Sequence, residues 1–96
     1  MNKNIKNVII TEVSTRDGFQ SEKTILNTDD KIDVINNLID AGFPRIEVSS
    51  FVSPKAIPQL ADAATILENV KRNHKTTLAA LVPNAKGALR AVNAKL

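Results

Sequence analysis

Arg16 and Asp17 are the neighbours in this chain best suited to chemistry. They follow Glu12-Val13-Ser14-Thr15 and lead into Gly18-Phe19-Gln20. An aspartate offers a hard oxygen of the kind that binds Mg²⁺ or Mn²⁺. An arginine offers a fixed fork of N–H donors for a carboxylate or an enolate oxygen. Gly18 lets the backbone turn tightly beside a ligand. The apolar run Val8-Ile9-Ile10 lies just upstream. In α/β chains the turn after a strand's carboxyl end is where ligands sit. On spacing alone a solvated surface turn is the more ordinary account, because Asp-Gly is a common turn pair.

Glu47 is the second candidate, a carboxylate between Ile46 and Val48. Burying it without a partner is costly. Strand alternation points it away from both neighbours, towards a barrel interior or a metal. An ion pair with Arg45 or with a base on another strand explains it equally well. The run Ser49-Ser50-Phe51-Val52-Ser53-Pro54-Lys55 comes next. Its hydroxyls and lysine suit carboxylate or phosphate groups, although a capped loop of turn formers is the commoner use of such residues. Asn84, after Val82-Pro83, reads as a helix cap rather than a ligand. His74, the sole histidine, precedes a strand, at the end of a barrel that serves stability.

Three strand-like runs must position these groups: Val8 to Val13, Arg45 to Ser50 and Thr76 to Val82. Short apolar runs suit strands covered on both faces of a parallel sheet. Helical periodicity lies between them. Thr28 is the expected N-cap of the first helix, with Asp29 and Asp30 at its positive end. Ile32, Ile35, Leu38 and Ile39 share one face, and Gly42 closes it. A second helix is expected from Pro58, with Leu60, Ala63, Ala64, Leu67 and Val70 as its stripe. A third is expected after Asn84, with Ala88, Leu89, Ala91 and Val92 inside it, weakened by Gly87. Strand starts fall 37 and 31 residues apart, close to the length of a βα unit. The spacing predicts an α/β chain: the first three βα units of a TIM (β/α)8 barrel, truncated, since a whole barrel needs about 250 residues.

Composition narrows the classes. Hydrophobic residues make up 43% of 96, and the three aromatics are all Phe, so the core must be aliphatic. Cysteine is absent, which removes disulfides and thiolate metal sites from these residues. The net charge of +3 comes from interspersed signs, with no aromatic interleaving, so no nucleic-acid partner is expected. No apolar run approaches the ~20 residues that cross a bilayer, so no membrane partner is expected either. Met1 to Lys6 is basic without an apolar stretch behind it, unlike a secretory leader. These features lead to the expectation of a soluble cytoplasmic protein.

Taken together the segments resemble the hydroxymethylglutaryl-CoA lyase family, within the metal-dependent TIM-barrel lyases and synthases. The resemblance runs through Glu12-Val13-Ser14, Arg16-Asp17-Gly18, Gln20, Glu22-Lys23 and Ile46-Glu47. It continues through Ser50-Phe51-Val52-Ser53-Pro54-Lys55, Pro58-Gln59, Pro83-Asn84 and Lys86-Gly87. It covers nearly the whole chain in order and corresponds to the amino-terminal part of a barrel. The family usually has Pro at Thr15, Leu at Phe19, Asn at Ser21 and Trp at Ala56.

The resemblance implies cleavage of 3-hydroxy-3-methylglutaryl-CoA to acetyl-CoA and acetoacetate with a divalent cation, Mg²⁺ or Mn²⁺. It implies Asp17 as a metal ligand, and Arg16 and Glu47 as catalytic groups. Arg16, Gln20, Ser50 and Lys55 would contact the acyl-CoA substrate. The family's paired histidines, later Asn and catalytic Cys would lie beyond Leu96, so these 96 residues alone are expected to be inactive. The full-length enzyme is expected to be a homo-oligomer. A Claisen-type synthase of the same superfamily and a lyase for another 3-hydroxyacyl-CoA are alternatives. A stand-alone interaction module with exposed sheet edges is the non-enzymatic one.

Overall fold

The computed structural model describes residues 7–96, and the basic stretch read as lacking leader character lies outside them. Strand β1 is Thr11–Glu12, followed by a π-helical turn, Ser14–Gly18. Helix α1 is Thr28–Asp40, strand β2 Arg45–Ser50 and helix α2 Ala63–Asn69, preceded by a 3-10 turn at Pro58–Leu60. Strand β3, Thr77–Leu81, and helix α3, Ala85–Asn93, complete the order. The three strands form one parallel sheet in the order β1-β2-β3. Parallel neighbours require crossovers, and α1 and α2 supply them.

The core forms where the helices cover the sheet. Ile46 and Val48 of β2 meet Ile35 and Ile39 of α1 and Ala63, Ile66 and Leu67 of α2. Ile35 and Ile46 are fully buried, each contributing about 1.5–3 kcal/mol. Gly42 adopts φ +91° and ends α1, as its position in the sequence suggests. Among the described residues no helix is long and apolar enough to cross a membrane.

Several boundaries differ from expectation. Pairing of β1 covers two residues, not six, because only Thr11 and Glu12 find partners, on Arg45 and Ile46. Val8, Ile9 and Ile10 are 76%, 74% and 59% exposed on the sheet's edge. The cap of α1 is Asn27, whose side chain accepts from the Asp30 N–H at 2.8 Å; Thr28 is inside the helix. The helix expected from Pro58 breaks at Ala61-Asp62, because the Asp62 carboxylate is held by α1 and its backbone stays non-helical at φ −97°, ψ 19°. Helix α3 opens after Asn84 and contains Ala88, Leu89, Ala91 and Val92, as expected; it turns Gly87 and Ala91 inward, with Ala94 just past its end, and leaves Leu89 and Val92 exposed. A Cβ at residue 87 would lie 2.5 Å from the Phe51 carbonyl oxygen. The glycine that weakens this helix in isolation is therefore what lets it dock so close to β2.

Candidate active site

The π-helical turn after β1 is closed by the Val13 carbonyl, which accepts from the N–H of Arg16 at 3.1 Å and of Asp17 at 2.7 Å. Its wider loop lays Arg16 across β2. The Arg16 Nε donates to Glu47 Oε1 at 2.5 Å, and Nη1 reaches Asp17 Oδ1 at 3.4 Å. The Arg16 and Glu47 side chains are 22% and 21% exposed, whereas that of Asp17 is 68% exposed. Arg16 thus bridges two carboxylates of different character. One is a half-buried partner that fixes the guanidinium, and the other is open to solvent. Upstream, the Ser14 backbone N–H donates to the exposed Glu12 carboxylate at 2.9 Å and lowers its pKa.

A register shift in β2 decides what lies beside Glu47. Ile46 and Glu47 stand opposite Leu78 and Ala79, but Ser49 and Ser50 stand opposite Ala80 and Leu81, leaving Val48 as an extra residue. Such bulges re-aim the side chains that follow them. Leu78 and Ala80 pack against the helix-covered core. By alternation, Ser49 shares that face with Ile46, and Ser50 shares the opposite face with Glu47. Both hydroxyls are buried without a hydrogen-bond partner among the described residues.

The other candidates are placed less closely. Gln20 is half-buried just past the turn, and Lys55 is exposed in the loop after β2. Asn84 caps α3, accepting from the Gly87 N–H at 2.8 Å. His74 is exposed in the segment leading into β3, at the opposite end of the strands from the turn that carries Arg16.

One cluster escaped sequence reasoning. Lys31 is 2% exposed, and its Nζ donates to the Gln59 carbonyl at 2.6 Å and to Asp62 at 2.9 and 3.1 Å. Asp62 also accepts from Thr28 Oγ at 2.7 Å, and Gln59 Nε2 donates to the Glu22 carbonyl at 2.9 Å. This clasp joins the loop after β1 to the loop after β2. The available signal was the four-residue spacing of Lys31 with the core positions Ile35 and Ile39.

The donor set can be tested against a divalent cation. Asp17 presents an open, hard carboxylate, which fits. Glu47 is engaged by Arg16, and no group of three or more metal-binding side chains occurs among the described residues. The described residues therefore hold no complete cage for a divalent cation.

A family model described as HMGL-like matches residues 7–96. The chain belongs to the HMGL-like family. Over 89 residues, 93% of the chain, it is 46% identical to a protein of Arabidopsis thaliana named mitochondrial hydroxymethylglutaryl-CoA lyase, and it covers 19% of that protein. An HMG-CoA lyase structure from Acinetobacter baumannii, in complex with coenzyme A and 3-methylmalate, superposes with a TM-score of 0.88 at 52% identity. The match covers 91% of this chain and 28% of that one. The Bacillus subtilis HMG-CoA lyase superposes with a TM-score of 0.91 at 43% identity, over 96% of this chain and 31% of that one. The α/β fold is therefore the one found in HMG-CoA lyase TIM barrels, and the chain spans less than a third of each of these relatives. Enzymes of the family are metal-dependent. The cytoplasmic location expected from composition is corrected here, since the Arabidopsis relative is named as mitochondrial; composition does not separate the two compartments.

Proposed function

We propose that residues 1–96 form the amino-terminal three βα units of a TIM barrel whose activity is carbon–carbon lysis of 3-hydroxy-3-methylglutaryl-CoA to acetyl-CoA and acetoacetate. The observation that carries this reading is the bridging of Asp17 and Glu47 by Arg16 after β1, in a chain of the HMGL-like family. Asp17 supplies one ligand for Mg²⁺ or Mn²⁺. When bound, the cation orients and acidifies the substrate's tertiary hydroxyl. Glu47 pins Arg16 by its Nε and Asp17 holds Nη1, which leaves Nη2 to face an oxygen that gains negative charge as the C–C bond breaks. Ser50, buried and unpartnered on the face of Glu47, has a free hydroxyl for a polar substrate group. Gln20 and Lys55 extend the acyl-CoA contacts, and the assembled enzyme is a homo-oligomer.

The test is a graft in which residues 1–96 replace the matching segment of the Bacillus subtilis lyase. The graft should release acetoacetate from 3-hydroxy-3-methylglutaryl-CoA, lose activity in chelator and regain it with Mg²⁺ or Mn²⁺. The 96 residues alone should show no turnover. Condensation of acetyl-CoA with a 2-oxoacid by the graft, without acetoacetate release, would instead favour a synthase.

A further inference from the structure

The Thr15 side chain is among the most deeply buried polar groups of the described residues, at 1% exposure. Its Oγ donates to the Glu47 carbonyl oxygen at 3.1 Å. The next residue, Arg16, donates to the Glu47 carboxylate. Two consecutive residues of the π-helical turn therefore grip one residue of β2, the first by its backbone and the second by its side chain. The ladder explains why that carbonyl is free. Pairing of β1 with β2 stops at Glu12–Ile46. At the next residue of β2, the Thr15 hydroxyl takes the place of a strand partner.

We infer that Thr15 is a positioning residue, its hydroxyl setting the height of the turn over β2 and with it the orientation of the Arg16–Glu47 pair. The inference rests on the proposed lyase reading for its kinetic consequence but not for its geometric one. With the Thr15 bond made, Nε of Arg16 meets Oε1 with the guanidinium plane fixed. Without it, the turn is joined to Glu47 only through two flexible side chains. Positional errors of about 1 Å in an active site cost on the order of 10²-fold in rate, so loosening short of that should cost about tenfold.

The variants are Thr15→Val, which keeps the shape and loses the donor, and Thr15→Ser, which keeps the donor. Both are made in the graft, with Thr15→Ala as a smaller donor-free variant should Val not be accommodated, and circular dichroism verifies the fold. The first readout is solvent exchange of the Arg16 Nε–H by ¹⁵N NMR, which needs no substrate. The donor-free variant should exchange about tenfold faster, while Ser stays within about twofold of the parent. The second readout is kinetic: the donor-free variant should lose about tenfold in kcat with KM nearly unchanged, and Ser should restore it. Unchanged exchange in the donor-free variant overturns the inference, as does a loss that Ser fails to rescue. If the parent graft has no lyase activity, the proposed function falls, while the exchange comparison still decides the role of Thr15.

Discussion

The two carboxylates bound to Arg16 should separate cleanly when each is neutralised. Glu47→Gln keeps the shape and an acceptor oxygen but exchanges a charge-assisted hydrogen bond for a neutral one. Hydrogen bonds to charged groups contribute about 1.5–3 kcal/mol and neutral ones about 0.5–1.5 kcal/mol, a difference of about 1–1.5 kcal/mol. Breaking a fully buried pair costs more, about 3–5 kcal/mol. The upper range does not apply here, because both side chains keep about a fifth of their exposure and Asp17 remains at 3.4 Å as a second counter-charge. Asp17→Asn removes a long contact at a carboxylate that is 68% exposed, so it should cost less than about 0.5 kcal/mol. Urea denaturation of the graft, with m-values held equal, measures both. The reasoning fails if Asp17→Asn destabilises as much as Glu47→Gln, because Arg16 would then be anchored by the other carboxylate.

Gly87→Ala should destabilise despite alanine's better helix propensity. A gain of about 1 kcal/mol from propensity is opposed by a 2.5 Å contact with the Phe51 backbone oxygen, and overpacking of that kind costs about 1–3 kcal/mol; a higher melting temperature would refute this. Lys31→Met strands Asp62 and should cost about 3 kcal/mol, while the double variant Lys31→Met/Asp62→Leu should recover much of it; equal losses in the single and double variants, measured by urea titration, would argue against a coupled pair. Glu12 should titrate below the ordinary glutamate range in carboxyl-detected NMR, because the Ser14 N–H stabilises its anion. Its folded pKa is depressed, so the small stabilisation is present at neutral pH and fades as pH falls through that value. A Glu12 midpoint at or above the ordinary range would contradict the bond.

Much of the frame was legible from periodicity. The bounds of β2 and the cap at Asn84 follow from local residue types, and Gly42 marks the stop of α1. What stayed hidden depends on contacts between distant segments. The outward turn of Leu89 and Val92 follows from the close approach of α3 to Phe51, which no local pattern encodes. The break before α2 follows from Asp62 being held by Lys31 and Thr28. At the site, Arg16, Asp17 and Glu47 stood out by type and position, and an ion pair of Glu47 with a base from another part of the sheet was one of its two readings, but residue types did not single out Arg16 as that base. Neither the Thr15 bond nor the bulge at Val48, which puts Ser50 on the face of Glu47, leaves a mark in residue spacing.

Under the proposed function, Asp17 is the open carboxylate left for a cation beside the Arg16–Glu47 pair. Mn²⁺ binding to the graft, followed by electron paramagnetic resonance, tests this most directly. The parent graft should bind Mn²⁺ and turn over in proportion to occupancy. Asp17→Asn should weaken binding by about 100-fold or more, since even outer partners of a metal ligand are worth about 10–100-fold. Glu47→Gln should retain most of the binding. Mn²⁺ affinity that survives Asp17→Asn unchanged, or that is lost only with Glu47→Gln, would contradict the account.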